Sequence, residues 1–221
     1  MNKFGHTTAK VAAWNLAGFG GIPDERLARQ VEGLTMLDAE VVALVEINPE
    51  SALQALQQGL AVKGVSYHTS ILPQENNLHI GVLYKDGITV SNARFIDGSD
   101  LGDSRRRKAL VLDVEIGRFD FMLIVVHLKS GRDADNQQLR DQQAKVIGDF
   151  ITERRSHCLA DILLVGDFTI IPGQDVSNFH NLGGDVRMDF VSSWDLQDRY
   201  SHLLGVGRAN LLDGFAISRT Y

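Results

Sequence analysis

Ile162-Leu-Leu-Val-Gly166 is an apolar run that ends on Asp167, and Met122-Leu-Ile-Val-Val126 ends in the same way on His127. Neither run alternates polar with apolar residues, so each predicts a strand buried on both faces with a polar residue at its end. The pattern recurs outward from there. Val41-Val-Ala-Leu-Val45 leads into Glu46, Val11-Ala-Ala-Trp14 into Asn15, and Asn210-Leu-Leu212 into Asp213. A buried carboxylate without a partner is costly, so polar residues closing apolar strands must find partners or a ligand. In open α/β sheets that edge is where ligands bind.

The same criteria predict strands at 10–14, 41–45, 79–84, 109–116, 119–126, 161–165 and 210–217. Helices are predicted at 24–37, 49–60 and 135–152, the first with Leu27, Val31 and Leu34 on one face, the last with Leu139, Val146, Ile147, Phe150 and Ile151. Pro49 suits the first turn of its helix, where an N–H is not needed. Gly117-Arg118 joins two strands as a hairpin, and the glycines at 18–21 and 183–184 predict loops. Parallel βαβ-like units mixed with hairpins predict an α/β fold of packed sheets flanked by helices.

The 221 residues predict a single domain, 1–221. At 44% hydrophobic and 23% charged, the composition is that of a globular protein, which sets aside disordered, collagen-like and disulfide-scaffold classes. No window is apolar enough for a membrane span, and the N-terminus has no signal-peptide run, so the expected compartment is the cytoplasm. The single Cys158 excludes an internal disulfide, and a secreted protein freed of its signal fits almost as well. The net charge of −6 argues against adhesion to nucleic acid by bulk electrostatics, though not against cutting it through a local basic patch.

Singly, Asn15 reads as a turn former, Glu46 as a helix cap and His127 as an edge histidine; an ordered set of such residues reads differently. Carboxylates, an imidazole and a carboxamide at one sheet edge are the groups that hold a hard divalent cation and a phosphate ester. There is no Gly-x-Ser-x-Gly elbow, Walker loop or dinucleotide fingerprint, and the seven histidines show no paired zinc-ligand spacing. Metal-assisted hydrolysis is the chemistry that remains.

Val11-Ala-Ala-Trp-Asn-Leu16, Val42-Ala-Leu-Val-Glu46, Val125-Val-His-Leu-Lys-Ser130, Leu164-Val-Gly-Asp-Phe-Thr169 and Leu211-Leu-Asp-Gly-Phe-Ala-Ile-Ser218 resemble the ordered motifs of the endonuclease/exonuclease/phosphatase superfamily. That superfamily includes deoxyribonucleases, abasic-site endonucleases, sphingomyelinases and inositol-polyphosphate phosphatases. The resemblance implies a four-layer α/β/β/α sandwich with the site where its two sheets open. It implies Glu46 as a ligand to Mg²⁺ (or Mn²⁺ or Ca²⁺) with Asp167 beside it, and Asn15 and His127 on the scissile phosphate. It further implies that Asp167 orients or deprotonates the attacking water and that Asp213 orients a catalytic histidine. The run His127-Leu-Lys-Ser-Gly-Arg132 resembles bacterial nucleases of the group and points toward DNA or RNA.

Two positions depart from the pattern. Thr169 stands where the family has Asn, so one rotating hydroxyl replaces a carboxamide, with weaker oxyanion or metal support expected. The family's terminal Ser-Asp-His has no counterpart, the sequence ending at Tyr221. The expectation is that this segment, with its strand, is lost, truncated or supplied by another chain; His202 and His180 are the nearest substitutes in sequence. A sheet lacking that strand is expected to expose an edge that invites dimerisation.

On the substrate side, Arg105-Arg-Arg-Lys108 precedes a strand while Lys129 and Arg132 follow His127. Either cluster suits a solvated turn, and the functional expectation is that Arg107 or Lys108, with Lys129 and Arg132, flanks a phosphate-bearing groove. Arg140 either reaches the same rim or pairs within its helix. Trp14 and Trp194 are expected in the core, so contact runs chiefly through backbone phosphates with little sequence specificity. The expected activity is Mg²⁺-dependent phosphodiester hydrolysis, most simply by a nuclease. The alternatives are a small-molecule phosphomonoesterase, a phospholipid phosphodiesterase, or a catalytically weakened domain that binds metal or phosphate.

Overall fold

The computed structural model describes residues 8–19, 24–75, 77–157, 161–170, 175–183, 187–191, 200–203 and 209–219. Cys158 and Trp194 lie outside the described residues. The chain runs β1 (Val11–Phe19), α1 (Asp24–Leu37), β2 (Val41–Ile47), α2 (Ser51–Val62), β3 (Tyr67–Leu72), β4 (His79–Lys85), β5 (Ile88–Phe95), β6 (Leu110–Ile116), β7 (Phe119–His127), α3 (Ala134–His157), β8 (Ile162–Asp167), α4 (Val176–Asn181), β9 (Met188–Phe190), β10 (His202–Leu203), β11 (Ala209–Asn210) and β12 (Asp213–Ser218). Two mixed sheets carry the fold, one in the order β1-β2-β4-β3 and one in the order β5-β6-β7-β8-β12-β9.

The unalternated strands are apolar because both of their faces are covered. In β2, Val42 and Leu44 face outward to pack with Val31, Leu34, Leu53 and Leu56 of α1 and α2. Val41, Ala43 and Val45 face inward to the second sheet, against Leu110, Leu112, Leu123, Val125 and Val165. In β7 the same division sends Ile124 and Val126 toward Ala144, Ile147 and Ile151 of α3. Period-two alternation thus distributes each run between a helix layer and an opposing sheet, giving the four-layer α/β/β/α sandwich. Each fully buried Leu or Ile contributes roughly 1.5–3 kcal/mol relative to its exposed state. Trp14 packs in the outer core, as expected.

Several expectations need correction. Pro49 precedes α2, accepting the N–H of Ala52 at 2.9 Å, instead of sitting in its first turn. The run 210–217 is two elements: Asn210 closes β11, and Asp213 opens β12. Gly18 belongs to β1 and not to a loop; of the second glycine pair, Gly183 lies in a turn and Gly184 outside the described residues. Strands β3 and β5 escaped the sequence reading because their burial is partial and their apolar content low. Among the described residues, no helix is long and apolar enough to cross a membrane.

Candidate active site

The ladders between β1 and β2 and between β2 and β4 lose register where the functional side chains begin. Regular pairing of β1 with β2 ends at Asn15 opposite Val45, and that of β2 with β4 breaks between Leu44 and Ile47. Glu46 lies in this irregularity with φ +59°, and Ala17 and Thr169 also take positive φ. Bulges re-aim side chains, and non-glycine residues in the left-handed region are strained conformations concentrated at functional sites. Strands β7 and β8 run parallel with His127 opposite Asp167. A Cβ on Gly166 (φ +127°) would stand 2.2 Å from the Val126 carbonyl oxygen, so only glycine permits that approach.

Asp213 reaches the same edge by a route the sequence did not suggest. Because β12 is antiparallel to β8, its first residue, Asp213, stands opposite the last residue of β8, Asp167. Asn15, Glu46, Arg107, His127, Arg132, Asp167, Thr169 and Asp213 line one cavity of about 540 Å³, together with Ser201 and His202. Lys129 sits beside it, its ammonium donating to the Ser130 carbonyl at 2.8 Å. His180 is exposed on α4 and is not among the lining residues.

Asn15 is the hub of the acidic wall. Its side-chain N–H₂ donates to Glu46 Oε1 at 3.1 Å and to Asp167 Oδ2 at 3.0 Å, while its carbonyl oxygen accepts the N–H of Ala17 at 2.8 Å. Asp167 Oδ1 accepts the N–H of Thr169 at 2.8 Å, and the Thr169 hydroxyl lies 3.2 Å from both that oxygen and the Leu128 carbonyl. Thr169 therefore orients Asp167 rather than opening into the cavity as a free donor.

His127 is 5% exposed, with Nε2 3.4 Å from Glu46 Oε1 and 4.0 Å from Asp167 Oδ2. Despite those carboxylates, burial, aided by the Arg107 charge, holds its pKa far below the usual imidazole range. That shift favours the neutral ring, which offers a hydrogen bond in place of a charge. Arg107 donates to the Leu128 carbonyl at 2.7 Å; burial lowers its pKa, and Glu46 and Asp167 oppose that. Its neighbours in the basic run turn elsewhere: Arg105 and Arg106 pair with Asp103, and Lys108 stands 3.6 Å from Asp100.

Asp213 differs from the other carboxylates. Burial pushes its pKa up to about 6; a hydrogen bond with Ser201 opposes this, Asp167 and Glu46 add to it, and His202 pulls it back. Its Oδ1 is buried without a hydrogen-bond partner. The Ser201 hydroxyl oxygen accepts the N–H groups of Leu212 and Asp213 at 3.0 and 3.1 Å, tying the segment that carries His202 to β12. Ser201 carried no sequence signal of its own.

No family model matches the sequence, and no curated protein matches it. Solved structures do. Humanized D. rerio TDP2 superposes with a TM-score of 0.76 at 20% identity, covering 95% of this chain and 83% of that one. The human Nocturnin catalytic domain with bound sulfate gives 0.69 at 16% identity, covering 96% and 83%. D. rerio TDP2 complexed with a single-strand DNA product gives 0.71 at 20% identity, covering 95% and 83%. The chain has the endonuclease/exonuclease/phosphatase fold. The sandwich expected from the ordered motifs of that superfamily is therefore present, with the motif residues at the open edge of its two sheets.

Among the described residues, no group of three or more His, Cys, Asp or Glu side chains forms a metal cage. Glu46 and Asp167, joined through one carboxamide, instead supply the one or two carboxylates with which Mg²⁺ is commonly held while it keeps several waters. The donor set fits such an ion.

Proposed function

We propose that this protein is a Mg²⁺-dependent phosphodiesterase whose substrate is nucleic acid. The observation that carries the reading is the Asn15 amide bridging Glu46 and Asp167 in a cavity that also holds His127 and Arg107. Nuclease action draws further support from the fold shared with a TDP2 captured with single-strand DNA. Glu46, with Asp167, would hold the ion, which when bound supplies charge neutralisation at phosphorus.

The protein side chains divide the remaining work. His127 donates a hydrogen bond to a non-bridging phosphate oxygen, and Arg107 balances charge that grows as the P–O bond to water forms. The Asn15 amide, whose two N–H groups are taken by Glu46 and Asp167, does not reach the phosphate and instead holds those carboxylates in place. Asp167, fixed by Asn15 and Thr169, orients that water and accepts its proton. His202, with Asp213 beside it, donates a proton to the departing oxygen as the opposite P–O bond breaks. Lys129 and Arg132 flank the entrance for neighbouring phosphates.

The test is incubation of purified protein with plasmid, single-stranded DNA, RNA and bis-nitrophenyl phosphate in Mg²⁺ or Mn²⁺, then with EDTA. Metal-dependent cleavage is expected. Phosphate release from monoesters or phospholipids without nucleic-acid cleavage would transfer the reading to those substrates. Thr169, which stands where the resembled family has Asn and is engaged with Asp167, favours as the second reading a domain that binds metal or phosphate without turnover. Binding of Mg²⁺ that depends on Glu46, with no hydrolysis of any substrate, would establish it. Self-association through an exposed sheet edge is the proposed oligomeric mode; a concentration-independent monomer in sedimentation would remove it.

A further inference from the structure

The loop after β7 is gripped by two buried polar side chains of α3, Arg140 and Gln143. Arg140 of α3, 1% exposed, donates from one nitrogen to the carbonyls of both Lys129 and Gly131, at 2.9 and 2.5 Å. Gln143, one turn along and equally buried, accepts the N–H of Lys129 at 2.9 Å and donates to the Ser99 carbonyl at 2.9 Å. Arg140 therefore neither pairs with a carboxylate on its own helix nor reaches the cavity; its nearest charge partner is Asp175 at 3.9 Å.

The planar trans peptide turns this grip into a prediction about donors. A carbonyl and the N–H of the following residue point in opposite directions. With the carbonyls of 129 and 131 drawn inward to Arg140, the N–H groups of Ser130 and Arg132 are directed away from it, on the side where Ser130, Gly131 and Arg132 are exposed and line the cavity. The intervening Ser130 carbonyl, the acceptor that would repel an anion there, is covered by the Lys129 ammonium. The nearby Asp133 carboxylate is turned toward α3, accepting the N–H of Asn136 at 3.0 Å.

We propose that Arg140 is a positioning residue that holds the Ser130 and Arg132 N–H groups, with the Lys129 ammonium between them, as an anion-binding lip for a phosphate oxygen of the substrate. Backbone donors fixed before binding need no reorganisation, and paired N–H groups of this kind form anion concavities. The inference rests on the phosphoesterase reading and deepens it.

Amide-to-ester replacement at residue 130 or 132 removes one N–H while keeping the side chain, with an ester at 131 as control. Loss of a hydrogen bond to a charged group predicts roughly tenfold weaker inorganic phosphate binding and a KM raised by a similar factor at 130 and 132. Arg140→Met should raise KM more than it lowers kcat, and Arg140→Lys should restore part of the effect. A KM rise on both bis-nitrophenyl phosphate and an oligonucleotide assigns the lip to the scissile phosphate, and a rise on the oligonucleotide alone to a neighbouring one; either supports the proposal. Ester variants that bind phosphate and cleave like the parent overturn it, and they decide the matter even if Arg140→Met does not fold. If the parent hydrolyses nothing, the phosphoesterase reading fails, while phosphate affinity of the parent against the esters still tests the lip.

Discussion

Two groups of side chains in one cavity are built on different principles. The acidic wall, formed by Asn15, Glu46, His127 and Asp167, stands on adjoining strands of both sheets, its polar groups linked through Asn15 and braced by Thr169. The other group, Ser201, His202 and Asp213, is fastened through backbone N–H groups to one serine, and it leaves a buried carboxylate oxygen unpaired. The first suits holding charges at fixed distances. The second suits proton transfer, because a carboxylate with a pKa of about 6 changes protonation near neutral pH.

The difference breaks most sharply under mutation of the acidic wall. Glu46→Gln or Asp167→Asn should reduce cleavage of every substrate by on the order of 10³-fold, seen in kcat with bis-nitrophenyl phosphate and oligonucleotides alike. Equal loss on changing Asn15→Asp would show that the bridging amide matters through its donors. In the other group, His202→Ala should slow nucleic-acid cleavage by about 10²-fold while nearly sparing nitrophenyl esters, whose leaving groups depart without a proton. Uniform loss over both substrate types would remove the proton-donor assignment.

Smaller effects follow in stability. Because the folded Asp213 pKa is raised from 3.8 to about 6, its ionisation penalises the fold as pH rises through that window, and acid below about pH 4 removes the penalty. Asp213→Asn should therefore raise Tm at pH 7 to 8 in EDTA and leave it unchanged below pH 4. His127 behaves in the opposite sense: its depressed pKa means the unfolded chain takes up a proton first, so stability is lost as pH falls below the ordinary imidazole value. The smallest change is expected at Thr169, a β-branched residue at φ +51°. Thr169→Asn, better suited to that region, should stabilise by about 1 kcal/mol in denaturant unfolding.

The polar residues at the strand ends were legible because a period-two buried strand advertises both its apolar faces and the polar residue that ends it. The basic run 105–108 was not legible residue by residue: its four cations diverge, and Arg107 alone enters the cavity. Arg140 carried no signal distinguishing a helix-surface cation from a buried clamp, since its partners are carbonyls, which any residue supplies.

Local order in the chain determined an α/β fold of packed sheets flanked by helices and the inventory of carboxylates, imidazole and amide at the strand ends, because hydrophobic periodicity and strand-end chemistry are properties of neighbouring residues; the four-layer sandwich was implied by the motif resemblance. Only the tertiary structure decided that Asp213 arrives antiparallel opposite Asp167, that His202 and not His180 shares its cavity, and that Arg140 faces inward. Each of these depends on strand pairing or on a backbone acceptor brought from far along the chain, and such partners leave no mark in the local sequence.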